Sequence, residues 1–164
     1  MNNRNEFHLF NRCNRHKGFY NDDVPTDSLQ GIRYVDFFDE PDDEEFPYYS
    51  AHELLCGSCH LFALALNKVF GYNVYIIEGI NNRSFHAFCQ INTYKKWFYV
   101  DARGITSSFS EFMDIAQTFV TDEYTIRPIN DTDLAEWEED DYYEEAIAFA
   151  KAVINKYKDC YTVE

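Results

Sequence analysis

From Cys59 to Phe70 the chain is apolar on nearly every side, and it then meets Gly71. A helix with no polar face has nothing to offer water and has to be buried. Gly71 suits the left-handed residue that closes many helices. Such a helix needs cover on several sides, and the next residues supply it. Asn73–Glu78, Phe85–Ile91 and Trp97–Ala102 are short runs of β-branched, aromatic and apolar residues, with turn formers at Gly79–Ser84 and around Thr93 and Tyr94. Connections that short join antiparallel strands. The expected fold class is α+β, an antiparallel sheet packed on a buried helix.

The remaining segments extend that frame. Residues 1–30 read as polar loop, 32–38 as strand-like and 39–47 as an acidic loop bounded by Pro41 and Pro47. Residues 107–119 fit a helix with Ser108 or Ser110 as N-cap and Phe112, Ile115, Ala116 and Phe119 on one face. Tyr124–Ile129 reads as an edge strand, because Pro128 has no amide to donate. Residues 133–158 carry Tyr143, Ile147, Ala150, Ile154 and Tyr157 at helical spacing, which predicts one long amphipathic helix. With no repeat or linker, the expectation is one domain over 1–164, with a core at about 48–127.

Charge narrows the partners. The formal net charge is −15, and no Lys or Arg stands between Arg33 and Lys68. Direct nucleic-acid binding is disfavoured, since phosphate contacts need a basic patch. An acidic surface steers basic proteins or peptides, or simply keeps a protein in solution. No run approaches a membrane span, and the polar start Met1–Glu6 lacks the apolar core of a Sec signal. Synthesis in the cytoplasm is expected, with delivery into another cell by a non-Sec route left open. Five cysteines, an odd number, argue for reduced thiols over a disulfide framework.

Three reactive groups fall in order on the expected elements. Cys59 opens the buried helix, His86 lies on the second strand run and Asp101 ends the third. A thiolate is the nucleophilic form of cysteine, and both a helix N-terminus and an imidazolium favour it. If the last two strands form a hairpin whose partner numbers sum to 187, His86 stands directly opposite Asp101 on one face. Asp101 would fix the imidazole tautomer, and the other ring nitrogen would exchange a proton with Cys59. The Cys59 backbone amide is the first oxyanion donor, with His52 or Glu53 at the distance of a second. Cys89 alternates with His86 and reads as core.

Gly57-Ser58-Cys59 before an apolar helix, Phe85-His86-Ala87-Phe88, and Tyr99-Val100-Asp101-Ala102-Arg103-Gly104 together resemble the core of the transglutaminase-like and papain-like cysteine enzymes. The resemblance spans residues 56–104. It implies a papain/transglutaminase-like fold with Cys59 as nucleophile, His86 as base and Asp101 as orienter. It departs at Phe88, where a Trp is common, and in lacking an evident oxyanion amide side chain. The implied activity is thiol-dependent amide hydrolysis, by a cysteine peptidase or a protein glutamine deamidase, on a protein or peptide substrate. Transfer of the acyl group to an amine is the alternative within the superfamily. No cofactor and no metal are expected.

Other readings compete. Cys56-Gly57-Ser58-Cys59-His60 matches the attachment sequence of a c-type haem, which needs an export route. The same Cys-x-x-Cys suits a thioredoxin-type redox site, but a strand should enter it, and residues 51–55 look like a helical turn. Zinc would need a second such pair. A non-catalytic acidic module that engages a basic protein or mimics nucleic acid is the alternative of a different class. Under that view Cys59 is a small core residue, His86 a satisfied strand histidine and Asp101 a partner of Arg103.

Overall fold

The computed structural model describes residues 53–81, 84–120 and 123–163. Expectations for residues 1–52, the strand-like run 32–38 and His52 among them, lie outside the described residues, as does the side chain of Glu53. The described chain runs α1 (Glu53–Cys56), α2 (Cys59–Phe70), β1 (Asn73–Gly79), β2 (Phe85–Asn92), β3 (Trp97–Asp101), β4 (Gly104–Thr106), α3 (Phe109–Phe119), β5 (Tyr124–Pro128), α4 (Asp131–Glu138) and α5 (Tyr143–Lys156), then a 3₁₀ turn at Lys158–Cys160. The fold is α+β. Its five antiparallel strands stand in the order β4-β3-β2-β1-β5.

α2 forms where the sequence predicts and is buried from Leu61 to Leu66. Gly71 closes it at φ +76°, and its amide donates to the Asn67 carbonyl. On one face of the sheet α2 packs against β2, and α5 lies on α2 through Ala146, Ile147, Ala150, Val153 and Ile154. Side chains alternate along β2, so Ala87 and Cys89 turn toward α2 while His86 and Phe88 turn the other way. The Cys89 thiol donates to the Ala63 carbonyl on the α2 side. Phe88 meets Phe112 of α3, ring centroids 4.8 Å apart, on the opposite side. The sheet is thus covered on both faces. Among the described residues no helix is long and apolar enough to cross a membrane.

Three details depart from the sequence reading. β2 and β3 pair Ile91 with Phe98 and Cys89 with Val100, a register two residues from the expected one. A four-residue turn closed by the Thr93 amide on the Lys96 carbonyl sets this offset. His86 and Asp101 are therefore diagonal neighbours; a two-residue shift preserves the face, so both still point toward α3. The expected helix 133–158 is two, α4 and α5. Asp140 breaks it: its carboxylate takes the Tyr142 amide and its carbonyl the Tyr143 amide, the local bonding by which Asp competes with helix. Finally β4, three residues long, pairs with β3 where no strand was expected, too short to show a period.

Elsewhere local chemistry and structure agree. Ser108 caps α3, accepting from the Glu111 amide. β5 lies at an edge, as Pro128 requires. Asn130 and Asp133 form a capping box at α4, and Arg127 of β5 reaches both Glu78 of β1 and Asp133. That ion-pair link fixes α4 against the sheet, so that Trp137 stacks on Phe85 of β2 with the rings 13° from parallel.

Candidate active site

Cys59 is the first residue of α2. The amides of a first helical turn have no intrahelical acceptor, and that end of a helix carries partial positive charge. Ser58, the N-cap residue, makes no side-chain hydrogen bond to the turn. Beyond Cys89 strand β2 no longer pairs with β3, and at this splay the Ala87 amide donates to Cys59 Sγ at 3.4 Å. The sulfur occupies the fork between two strands, next to His86.

His86 is wholly buried. Its ring stacks on Phe119 of α3 at 4.7 Å, only 10° from parallel. Nε2 lies 3.0 Å from Asp101 Oδ2. The other nitrogen, Nδ1, is buried with no hydrogen bond of regular geometry. The Cys59 sulfur is held one residue along β2, on the Ala87 amide.

Asp101 is nearly buried and heavily bonded. Arg103 grips its carboxylate through Nε at 3.0 Å and Nη2 at 2.6 Å, and the Arg103 amide adds a bond to Oδ1 at 2.9 Å. Arg103 is itself buried, its guanidinium over the Phe112 ring at 5.2 Å and Nη2 on the Phe112 carbonyl. Asp101 thus pairs with Arg103 and orients His86 at once; the two readings of it do not exclude each other.

Burial opposes charge on all of these groups, but their mutual interactions win. Burial pushes the Cys59 thiol up, whereas the neighbouring imidazoles of His60 and His86 bring it down to about 6. Burial pushes His86 down, whereas the hydrogen bond to Asp101 and the neighbouring Cys59 raise it to about 9. Burial likewise raises the Asp101 carboxyl, and Arg103 and His86 hold it well below the usual carboxylate range. The favoured state is a thiolate beside an imidazolium, with Asp101 and Arg103 as a second, neutralising pair. Cys89 behaves oppositely: burial alone pushes it well above the ordinary thiol range, as an inert core thiol.

The structure therefore brings Cys59, His86 and Asp101 together. The proposed second oxyanion donors fall at His52, outside the described residues, and at the Glu53 side chain, also not described. Sequence reasoning missed the Ala87 amide; it named the Asp101–Arg103 pair, but only as an alternative to Asp101 orienting His86. It gave no role to His60, whose only signal was its place directly after Cys59. α1 enters the Cys-x-x-Cys as a helix, where a thioredoxin-type site takes a strand. Among the described residues no group of three His, Cys, Asp or Glu is placed to hold a metal ion. No known protein family, curated protein or solved structure matches this chain.

Proposed function

We propose that this protein is a thiol-dependent amide hydrolase of papain/transglutaminase-like design, with Cys59 as nucleophile, His86 as acid–base group and Asp101 as orienter. The observation that carries the reading is the convergence of three groups: Asp101 on Nε2 of His86, a buried Nδ1 on the same ring with no other hydrogen-bond partner, and the Cys59 sulfur at a helix N-terminus on the amide of Ala87, the residue after His86. Core packing does not require three such groups in line, and a buried His or Asp is costly without partners.

The Cys59 thiolate attacks the amide carbon, and the carbonyl oxygen takes the charge near the first-turn amides of α2. Nδ1–H of His86 gives its proton to the leaving nitrogen as the C–N bond breaks, leaving a thioester. Water then loses a proton to Nδ1, attacks the thioester carbon and expels the thiolate. The substrate is a protein or peptide amide, in a backbone or a glutamine side chain, and an acidic surface favours a basic one.

Thiol labelling followed by intact mass tests this. One adduct at Cys59 should form rapidly near neutral pH, and His86→Ala should slow it at least about tenfold by removing the imidazolium. Labelling of Cys59 no faster than of free cysteine would remove the support for a catalytic thiol.

A further inference from the structure

The segment after α5 packs into the core, and one of its side chains reaches the turn that carries Asp101. A 3₁₀ turn at Lys158–Cys160 follows α5, and the Tyr161 amide donates to the Lys158 carbonyl. Tyr161 is 0% exposed. Its hydroxyl donates to the Ala102 carbonyl at 3.1 Å, across 59 residues of chain. The ring packs against Phe62 of α2, centroids 5.4 Å apart, and its own carbonyl accepts from the Tyr72 hydroxyl at 3.0 Å.

Ala102 stands between Asp101 and Arg103. Asp101 pairs with Gly104 across β3 and β4, so Ala102 and Arg103 form the connection and the Ala102 carbonyl lies outside the strand ladder. The residue is buried, and a buried carbonyl without a donor is costly. The Tyr161 hydroxyl meets that need from outside the hairpin. Within it, the Arg103 amide and guanidinium hold the Asp101 carboxylate. Phe62 follows Cys59 by three residues, one turn along the same face of α2. Tyr161 therefore touches both the helix that carries the nucleophile and the turn that carries the orienter. Burial holds its phenol well above the ordinary range, so the hydroxyl stays a donor at neutral pH.

We propose that Tyr161 is a positioning residue: its hydroxyl fixes the β3–β4 turn, and through that turn the Asp101 carboxylate against His86, at a set distance from α2. The inference rests on the triad reading of Cys59, His86 and Asp101. Tyr161 touches no reacting atom; it acts by keeping Oδ2 of Asp101 3.0 Å from Nε2 of His86. Without the hydroxyl the Ala102 carbonyl loses its donor, the turn shifts to find another, and the carboxylate moves with it. The imidazolium is then less well stabilised, and the thiolate loses part of its counter-charge.

Tyr161→Phe removes the hydroxyl and keeps the ring, and 4-aminophenylalanine at the same position restores a donor. Tyr72→Phe removes a hydrogen bond from the same segment without reaching the turn. Iodoacetamide labelling of Cys59 in the full chain is followed against pH by peptide mass, beside urea unfolding of each variant. The parent should reach half its plateau rate near pH 6. Tyr161→Phe should raise that midpoint by about one pH unit, the scale of a weakened neighbouring charge. The amino analogue should return it to the parent value, and Tyr72→Phe should leave it there. A Tyr161→Phe midpoint equal to the parent's, whatever the change in urea, would reduce Tyr161 to a core residue and leave the triad standing. An equal shift in Tyr72→Phe, or no recovery with the amino analogue, would assign the effect to the segment rather than the hydroxyl and overturn the proposal. Should Tyr161→Phe not fold, 4-methylphenylalanine, which fills the place of the oxygen without donating, is read in the same way. A parent thiol no more reactive than free cysteine would overturn this inference and the triad together.

Discussion

At Cys59 and His86 the opposite displacement of two ionisations defines a working window. The pair gains thiolate near pH 6 and loses imidazolium near pH 9. Labelling needs only the thiolate, so its rate should rise near pH 6 and hold above pH 9. In the proposed mechanism amide turnover would also need the imidazolium proton, so it should fall near pH 9. Stopped labelling and initial-rate profiles on one preparation separate the two limbs. Arg103 acts one residue further out. Arg103→Met leaves a buried carboxylate with its strongest partner gone, and should lower stability by about 3–5 kcal/mol in urea unfolding at neutral pH. The folded Asp101 carboxyl lies below its ordinary 3.8, so it stabilises the fold above that value and loses the contribution as pH falls further. The gap between Arg103→Met and the parent should therefore narrow below about pH 4.

Among the elements, α2 owes its end to Gly71. No atom would meet a Cβ there, so the cost of Gly71→Ala is purely the left-handed backbone at φ +76°. About 1 kcal/mol should be lost in chemical denaturation, and Gly71→Asn should recover most of it. The elements legible from sequence were those with a period or a punctuation mark: α2 from its all-round apolar run and Gly71, α3 from Ser108, β5 from Pro128. The strand register was not, because the hydrophobic alternation of β2 and β3 is equally satisfied by sums of 187 and 189. A hydrogen bond inside the turn, Thr93 to Lys96, made the choice. The split of α4 from α5 was hidden because no Gly or Pro marks residues 133–142; the break comes from the Asp140 side chain. The triad survived the register error because face, unlike exact pairing, depends on parity alone.

For the whole molecule the excess of acid is the dominant long-range feature. Twenty-nine acidic against fourteen basic side chains leave −15, and compaction brings these charges together. Screening shortens their reach to about 10 Å at 0.1 M salt. Raising sodium chloride from about 0.05 to about 0.5 M should raise the melting temperature by a few degrees, roughly what 1 kcal/mol is worth in a domain of this size. A flat or falling midpoint would mean that attractive pairs such as Arg127 with Glu78 and Asp133 outweigh the repulsion. The fork between β2 and β3 has a consequence at the same scale. The Ala87 amide, which donates to Cys59 Sγ, belongs to a strand that β1 also holds. In the proposed reaction an acylated sulfur accepts poorly, so the Ala87 amide would lose its acceptor for the lifetime of the thioester. Protection of that one amide against hydrogen exchange would then report whether Cys59 is acylated or free.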